Sequence, residues 1–310
     1  MAKEKNTLPP PPESDREGDP QWGGQFLDLD SYLRRTGYTG PRTATTDTLF
    51  ALHRAHRETI PFENIDVALG RGISLDIGDV QHKLVERGRG GYCFEHNLLF
   101  AVVLERLGFP VTRMLARVRL GTDQTRYRAH TVLIVTAGSR HWLADVGFGS
   151  RGLVEPIPFE PGSQSRVAAW QWQLGREEDT PTGPHPDGGG GQWVLRSLRP
   201  DGWFDLYAFR LERHFQVDFD VANHYTSQHE RSTFTGKVIA MHGTAREHRT
   251  LVDRELTTHY PDGRIEHSEV SAGEAVHLLR GSFAIDLSDQ DALLLRQRLS
   301  HRLSPLQEAS

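Results

Sequence analysis

Apolar positions recur every three to four residues through the first third of the chain, then give way to short β-branched runs. Leu29, Tyr32 and Leu33 fall at helical spacing behind a cap at Asp28 or Asp30. A second helical stretch follows Thr46-Asp47 through Leu49, Leu52, His53 and His56, and stops at Pro61. A third passes through Val80, Leu84 and Val85 and leads to Gly90-Gly91. The run Leu98-Leu99-Phe100-Ala101-Val102-Val103-Leu104 continues at helical spacing to the stop signals Gly108 and Pro110. Beyond Pro110 the segments 111–118, 130–136 and 141–146 read as strands, as do 192–195, 203–209, 237–241 and 249–256. Helical spacing returns at 271–279, behind the capping-box pattern Ser271-Ala272-Gly273-Glu274, and at 289–299. Residues 1 to about 24, with a proline run at 9–12, read as a disordered leader, and 175–191 as a glycine- and proline-rich surface loop. The order is helices, then strands, then a mixed tail, which makes the fold class α+β.

Composition narrows the functional classes. With 310 residues, 37% hydrophobic and 25% charged, the chain is long enough for two or three packed layers around a core. A formal net charge of −5 without a basic run leaves no electrostatic footprint for nucleic acid. No apolar segment reaches the roughly 18 residues that span a bilayer, and the first residues lack the apolar stretch of a signal peptide. A single cysteine excludes an internal disulfide, so a reducing cytoplasm is the expected compartment.

That cysteine, Cys93, follows a glycine pair and opens the apolar helical run. It therefore falls in or near a first helical turn, where unpaired N–H groups and the positive end of the helix dipole favour a thiolate. The glycines before it are expected to let the backbone turn and a reacting carbonyl approach. The competing reading is a small buried hydrophobe. A nucleophile needs a base and the base an orienting group. Segments 130–136 and 141–146 flank Gly138-Ser139, a two-residue hairpin turn. In that register Val132 opposes Asp145 and His130 opposes Gly147, so His130 and Asp145 share a face as diagonal neighbours. His96 lies on the cysteine's own helix and reads as helix packing, and Glu95 as a partner of nearby backbone or of a basic residue. A metal site is not expected: one cysteine gives no ligand pair, and the remaining histidines lack tight spacing.

Arg89-Gly90-Gly91-Tyr92-Cys93-Phe94-Glu95-His96-Asn97 resembles the nucleophile motif of the arylamine N-acetyltransferases. Ile60-Pro61-Phe62-Glu63-Asn64, Leu69-Gly70-Arg71, Arg128-Ala129-His130 and Asp145-Val146-Gly147-Phe148-Gly149 follow the same family's order. The resemblance runs from about Tyr32 through Leu287. It implies a helical domain carrying the nucleophile (25–108), a β-barrel domain carrying histidine and aspartate (109–222), and an α/β lid with a C-terminal tail (223–310). It also implies a triad of Cys93, His130 and Asp145. Phe62, Phe148 and Phe234 would line the acyl and amine pocket, and Glu63 and Arg89 would form a supporting ion pair. Gly147 and Gly149 would border the cleft for the pantetheine arm of coenzyme A. Two departures stand out: Ala129 where the family has threonine, and the segment 223–234, which differs from the family pattern at 224 and 228–230.

The activity so implied is ping-pong acetyl transfer from acetyl-CoA through an acetyl-cysteine to the nitrogen of an arylamine or arylhydrazine. The partners are these small molecules and coenzyme A, with no nucleic acid, membrane or metal. Rival readings keep the same cysteine: an amide synthase closing a polyketide macrolactam without coenzyme A, a cysteine hydrolase, or a binding protein without catalysis.

Overall fold

The computed structural model describes residues 22–122, 124–149, 151–178 and 191–301. Most of the expected leader, most of the expected loop at 175–191 and the last nine residues of the tail lie outside these. Trp22 already packs against the core, with the Arg113 guanidinium 5.4 Å from its ring centroid, and a 3₁₀ turn at Gly24–Phe26 follows.

Helix α1 (Leu29–Thr36) is capped by Asp28, whose side chain accepts from Ser31 N. Helix α2 (Thr46–Thr59) is capped by Thr45 and ends before Pro61. A two-residue strand β1 (Phe62–Glu63), helices α3 (Ile65–Ala68) and α4 (Ile77–Gln81), and a π-helical turn at His82–Glu86 lead to α5 (Cys93–Arg106). Cys93 to Leu104 of α5 are all buried. An all-round apolar helix of this kind is a central one, and here it packs against the other helices and strands 111–137.

Strands β2 (Val111–Val118), β3 (Arg128–Ala137), β4 (Arg140–Ala144), β5 (Ile157–Pro158), β6 (Ser163–Val167), β7 (Trp170–Glu177), β8 (Gln192–Arg199) and β9 (Gly202–Phe209) form one antiparallel sheet. Its order is β5-β4-β3-β2-β9-β8-β7-β6, and the two end strands lie beside each other, so the sheet nearly closes into a barrel. Strand β3 is apolar without interruption from Val132 to Val135, where both of its faces are buried. Leu133, Val135 and Ala137 join the helical core, while Val132 and Ile134 join Trp172, Leu174 and Leu195 inside the barrel.

Helix α6 (Gln216–Gln228) follows the barrel, and the expected boundary at 222/223 falls inside it. Strands β10 (Ile239–Gly243), β11 (His248–Val252), β12 (Glu255–His259) and β13 (Ile265–Glu269) extend from β1 as a second antiparallel sheet. The expected single strand at 249–256 is a hairpin, turned at Asp253 with φ 52°. Helices α7 (Ala272–Arg280), with the Ser271/Glu274 capping box, and α8 (Asp289–His301) cover this sheet. No described helix is long and apolar enough to cross a membrane.

Candidate active site

The three regions meet at one small apolar cluster that contains Phe62, Tyr92, Cys93, Phe94, Leu115, Phe219 and Ile239. Cys93 is the first residue of α5, and Tyr92 N donates to Glu95 Oε2 at 3.0 Å, closing the helix start. The neighbouring glycines do not serve a left-handed turn, since neither Gly90 nor Gly91 has a positive φ. A Cβ on Gly90 would lie 2.1 Å from Pro61 O, so the missing side chain admits the backbone of the Pro61–Phe62 segment, not a substrate.

The loop is braced from below by a cluster of buried charges. Arg89 Nε donates to Glu63 Oε1 at 2.9 Å, and Arg89 Nη2 lies 2.7 Å from the same oxygen and 3.3 Å from Asp66 Oδ2. Lys83 Nζ sits 2.8 Å from both Asp66 Oδ2 and Glu95 Oε1. Burial works against Asp66 ionising, but Lys83 and Arg89 overcome it and hold the carboxyl at about 2. Glu63 Oε2 also accepts from Ile65 N at 2.6 Å, which ties the cluster to the start of α3.

His130 and Asp145 come from adjacent strands. The β3–β4 ladder runs from Ala137–Arg140 to Leu133–Ala144, and Asp145 leaves it one residue later. His130 Nε2 and Asp145 Oδ2 are 2.8 Å apart, both side chains buried, and Asp145 Oδ1 accepts from Asn97 Nδ2 at 3.0 Å and Gly147 N at 2.9 Å. Burial alone would raise Asp145; the charge and hydrogen bond of His130, with those of Asn97 and Gly147, bring it down to about 2. Asn97 is one helical turn beyond Cys93, and its Oδ1 accepts from Val146 N at 3.1 Å, so α5 and the Asp145 loop are joined through one amide. Asn97 closes the nucleophile motif in the sequence, which does not show what its side chain holds.

Cys93 is 3% exposed. Its thiol lies 3.3 Å from Ala129 O, the residue before His130. Burial pushes the Cys93 thiol well above its ordinary value and the Asp145 charge adds to this, while the Phe94 N–H at the helix start acts the other way. The dipole of α5 therefore does not by itself yield a thiolate, contrary to what position alone suggests.

Aromatic rings surround the group. Phe148 meets His130 edge-on with centroids 5.0 Å apart, and Tyr207 lies tilted against His130 at 4.8 Å. Burial pushes the Tyr207 hydroxyl well above its ordinary value, and the nearby Asp145 carboxylate adds to this. Phe234 lies 6.0 Å from Phe62 and 5.8 Å from Tyr92, centroid to centroid. Asn64 fixes this pairing: its Nδ2 donates to Phe234 O and Lys237 O at 2.8 and 2.7 Å, and its Oδ1 accepts from Ile239 N at 2.7 Å. Tyr207 carries no signal in the sequence that sets it apart from core residues, and Asn64 stands in the 60–64 motif without any sign of what it holds. Gly149 lies against Met241, and Gly147 against Cys93 and Asn97. Among the described residues no cluster of three or more His, Cys, Asp or Glu could hold a metal ion.

A cysteine at a helix start, beside a barrel strand that supplies a carboxylate-bound imidazole, sits within a fold that comparison defines as an acyltransferase. A family profile described as N-acetyltransferase matches residues 45–292. The chain belongs to the arylamine N-acetyltransferase family. It is 35% identical to an arylamine N-acetyltransferase of Mycolicibacterium smegmatis over 271 residues, covering 85% of this chain and 94% of that protein. The crystal structure of the Nocardia farcinica arylamine N-acetyltransferase superposes with a TM-score of 0.84 at 36% identity, over 92% of this chain and all of that one. The Mycobacterium marinum arylamine N-acetyltransferase in complex with CoA superposes with a TM-score of 0.76 at 32% identity, over 89% and 98% of the two chains.

Proposed function

We propose that the protein transfers an acetyl group from acetyl-CoA to the nitrogen of an arylamine or arylhydrazine by a ping-pong route through acetyl-Cys93. The observation that carries this reading is the 2.8 Å contact between His130 Nε2 and Asp145 Oδ2; the ring nitrogen it leaves over, Nδ1, is in this reading the one that takes the thiol proton. Because the buried thiol resists ionising alone, its proton passes to His130 as the sulfur attacks the thioester carbonyl. The sulfur–carbon bond to Cys93 forms and that to coenzyme A breaks, and His130 returns the proton to the departing thiolate. The amine then attacks acetyl-Cys93, His130 accepts its proton, and the Cys93 thiol is regenerated. Backbone N–H groups at the start of α5 would stabilise the oxyanion in both steps.

Phe62, Phe148 and Phe234 form the pocket walls in this reading, and flat aromatic amines suit them. Phe148 and Phe234 are only partly buried and are the side chains that yield to admit substrate. Gly147 and Gly149 border the approach of the pantetheine arm; the CoA complex of the M. marinum relative supports coenzyme A as the donor's carrier. A thiol kept reduced for catalysis fits a cytoplasmic protein.

The test is intact mass spectrometry after mixing with acetyl-CoA, followed by addition of an aniline or hydrazide. One acetyl group should appear on the wild-type chain and not on Cys93→Ala, and should leave when the amine is added. Acetylation absent from the wild type would favour the macrolactam-forming relatives that work without coenzyme A. Loss of the acetyl group to water at the same rate without amine would favour a hydrolase.

A further inference from the structure

One face of α2 reaches the Asp145 loop at three places. His53 Nε2 accepts from Asp145 N at 3.2 Å, and His53 Nδ1 donates to Val154 O at 3.0 Å. Arg57, one turn further along the helix, donates from Nη1 to Gly149 O at 3.0 Å. These bonds grip the first residue, the middle and the far end of the segment that carries Asp145, Phe148 and Gly149. Both side chains are buried, His53 completely and Arg57 to 5% exposed.

The chemistry of each group fixes its part. Asp145 N can only donate and Val154 O can only accept, so His53 must be neutral with its proton on Nδ1. Burial, followed by the charge of Arg57, agrees with this by lowering His53 to about 3. Protonation would put two donors face to face at Asp145 N and release the residue that orients His130. Arg57 is lowered by burial to about 10, against the pull of Asp145 and Glu58, and so stays cationic at neutral pH. Its Nε is buried without a hydrogen-bond partner, and it forms no ion pair within 4.0 Å among the described residues. A buried cation held that way is a poor device for stability, since an apolar side chain of similar size commonly serves as well or better. Among the described residues its one hydrogen bond is to the carbonyl of Gly149, next to Phe148, the ring that packs on His130.

We propose that His53 and Arg57 form a two-residue positioning clamp, in which His53 sets the backbone of Asp145 for proton transfer and Arg57 sets Phe148 and Gly149 for the acceptor. The clamp rests on the acyl-transfer reading above, and the two residues divide its labour. His53 acts on the chemical steps, which both run through Asp145 and His130. Arg57 acts on the seating of the amine.

Four variants test this. His53→Gln places its amide oxygen near the former Nε2 and keeps the acceptor for Asp145 N; His53→Asn places its amide nitrogen near the former Nδ1 and keeps only the donor to Val154 O. The expected result is a fall in kcat of roughly 10- to 100-fold in His53→Ala and in His53→Asn, with recovery to within about threefold of wild type in His53→Gln. Arg57→Met is expected to raise KM for the amine about tenfold or more, to lower kcat by a smaller factor, and to leave the melting temperature unchanged or higher. Equal activity of the Asn and Gln variants, unchanged kcat in His53→Ala, or an Arg57→Met protein that melts lower with unaltered KM would overturn the clamp. Should His53→Ala fail to fold, the Asn and Gln pair still decides. Hydrogen exchange across 145–154 is expected to quicken in His53→Ala or His53→Asn, and unchanged exchange in both also overturns it. That measurement needs no turnover, so a wild-type protein that transfers no acetyl group sinks the acyl-transfer reading, while the exchange rates still decide the clamp.

Discussion

Gly147 is pressed so closely against Cys93 that a Cβ added to it would lie 2.9 Å from Cys93 Cα and 3.0 Å from Cys93 O. Asn97 Nδ2, held by its own buried hydrogen bonds, would be as near at 2.9 Å, and the Cys93 atoms are backbone, so one partner must move. The close approach is what lets the loop after Asp145 lie on the first turn of α5.

Gly147→Ala is therefore expected to separate the cysteine from the His130–Asp145 pair. Overpacking of this kind costs on the order of 1–3 kcal/mol in stability. The displacement should cost about 10²-fold or more in acetyl transfer, since a shift near 1 Å at a reacting centre has that effect. Thermal unfolding and a steady-state assay on the same preparation check both parts. Near-wild-type transfer with an unshifted melt would show that the loop and helix are not in the contact described.

Asp145→Asn probes the imidazole alone. The replacement keeps the size of the side chain and removes the acceptor charge that sets the ring of His130. Acetylation of Cys93 by acetyl-CoA should slow by on the order of 10³–10⁴, as in triads whose carboxylate is made an amide. Rapid-quench mass spectrometry of the first turnover gives the number. A loss below about tenfold would mean that His130 is oriented by something else.

Asn97→Ala removes three bonds at once: those to Thr131 O at 2.6 Å, to Asp145 Oδ1 at 3.0 Å, and from Val146 N at 3.1 Å. Leaving such buried groups without partners costs about 1–3 kcal/mol each, less where a water enters. The variant is expected to lose both stability and Cys93 acetylation. A melt lowered without any fall in acetylation would limit Asn97 to holding the fold.

Much of this was legible in the chain, and the exceptions have physical reasons. Caps and breakers placed α1, α2 and α7, because Asp28, Pro61 and the Ser271/Glu274 pair act locally, and apolar spacing alone placed α8. The β3–β4 register followed from its two-residue turn, which counts residues outward from Gly138-Ser139. Helix α6 was not evident, because Val217 and Val221 face outward and only Phe219, Asn223, Thr226 and Ser227 are buried. Strand β13 is exposed along its whole length and so leaves no alternation to read. Residues 249–256 read as one strand-like segment where there are two strands, since Leu251 and Leu256 pair across the Asp253 turn. In the site, Cys93, His130 and Asp145 stand in patterned segments. His53 and Arg57 look like ordinary helix positions; their partners lie about a hundred residues away, and periodicity carries no information about them. A buried arginine also runs against every compositional expectation.

The same helix supports a prediction about acid. His96 Nε2 donates to Pro61 O at 3.1 Å, so its Nδ1 accepts from His56 Nε2 at 2.9 Å, and His56 Nδ1 in turn accepts from the Tyr32 hydroxyl at 2.9 Å. This chain and the bonds of His53 hold only while all three imidazoles are neutral. Burial lowers His53 to about 3, His96 to about 4, and His56 well below its ordinary value, where the neighbouring His96 adds to the effect. Since these folded values lie below the unfolded value near 6.5, the unfolded chain binds more protons, and stability present above 6.5 is lost as pH falls from there toward 4. Each histidine contributes about 1.4 kcal/mol per pH unit in that window, and three acting together about 4. A protein of ordinary stability, about 5–15 kcal/mol, would then unfold before most of its carboxylates are protonated. Urea unfolding at pH 7, 6 and 5 measures the slope directly. A change below about 1.4 kcal/mol per unit between pH 6 and 5 would mean that at least two of the three rings already carry a proton in the folded protein or lie open to water.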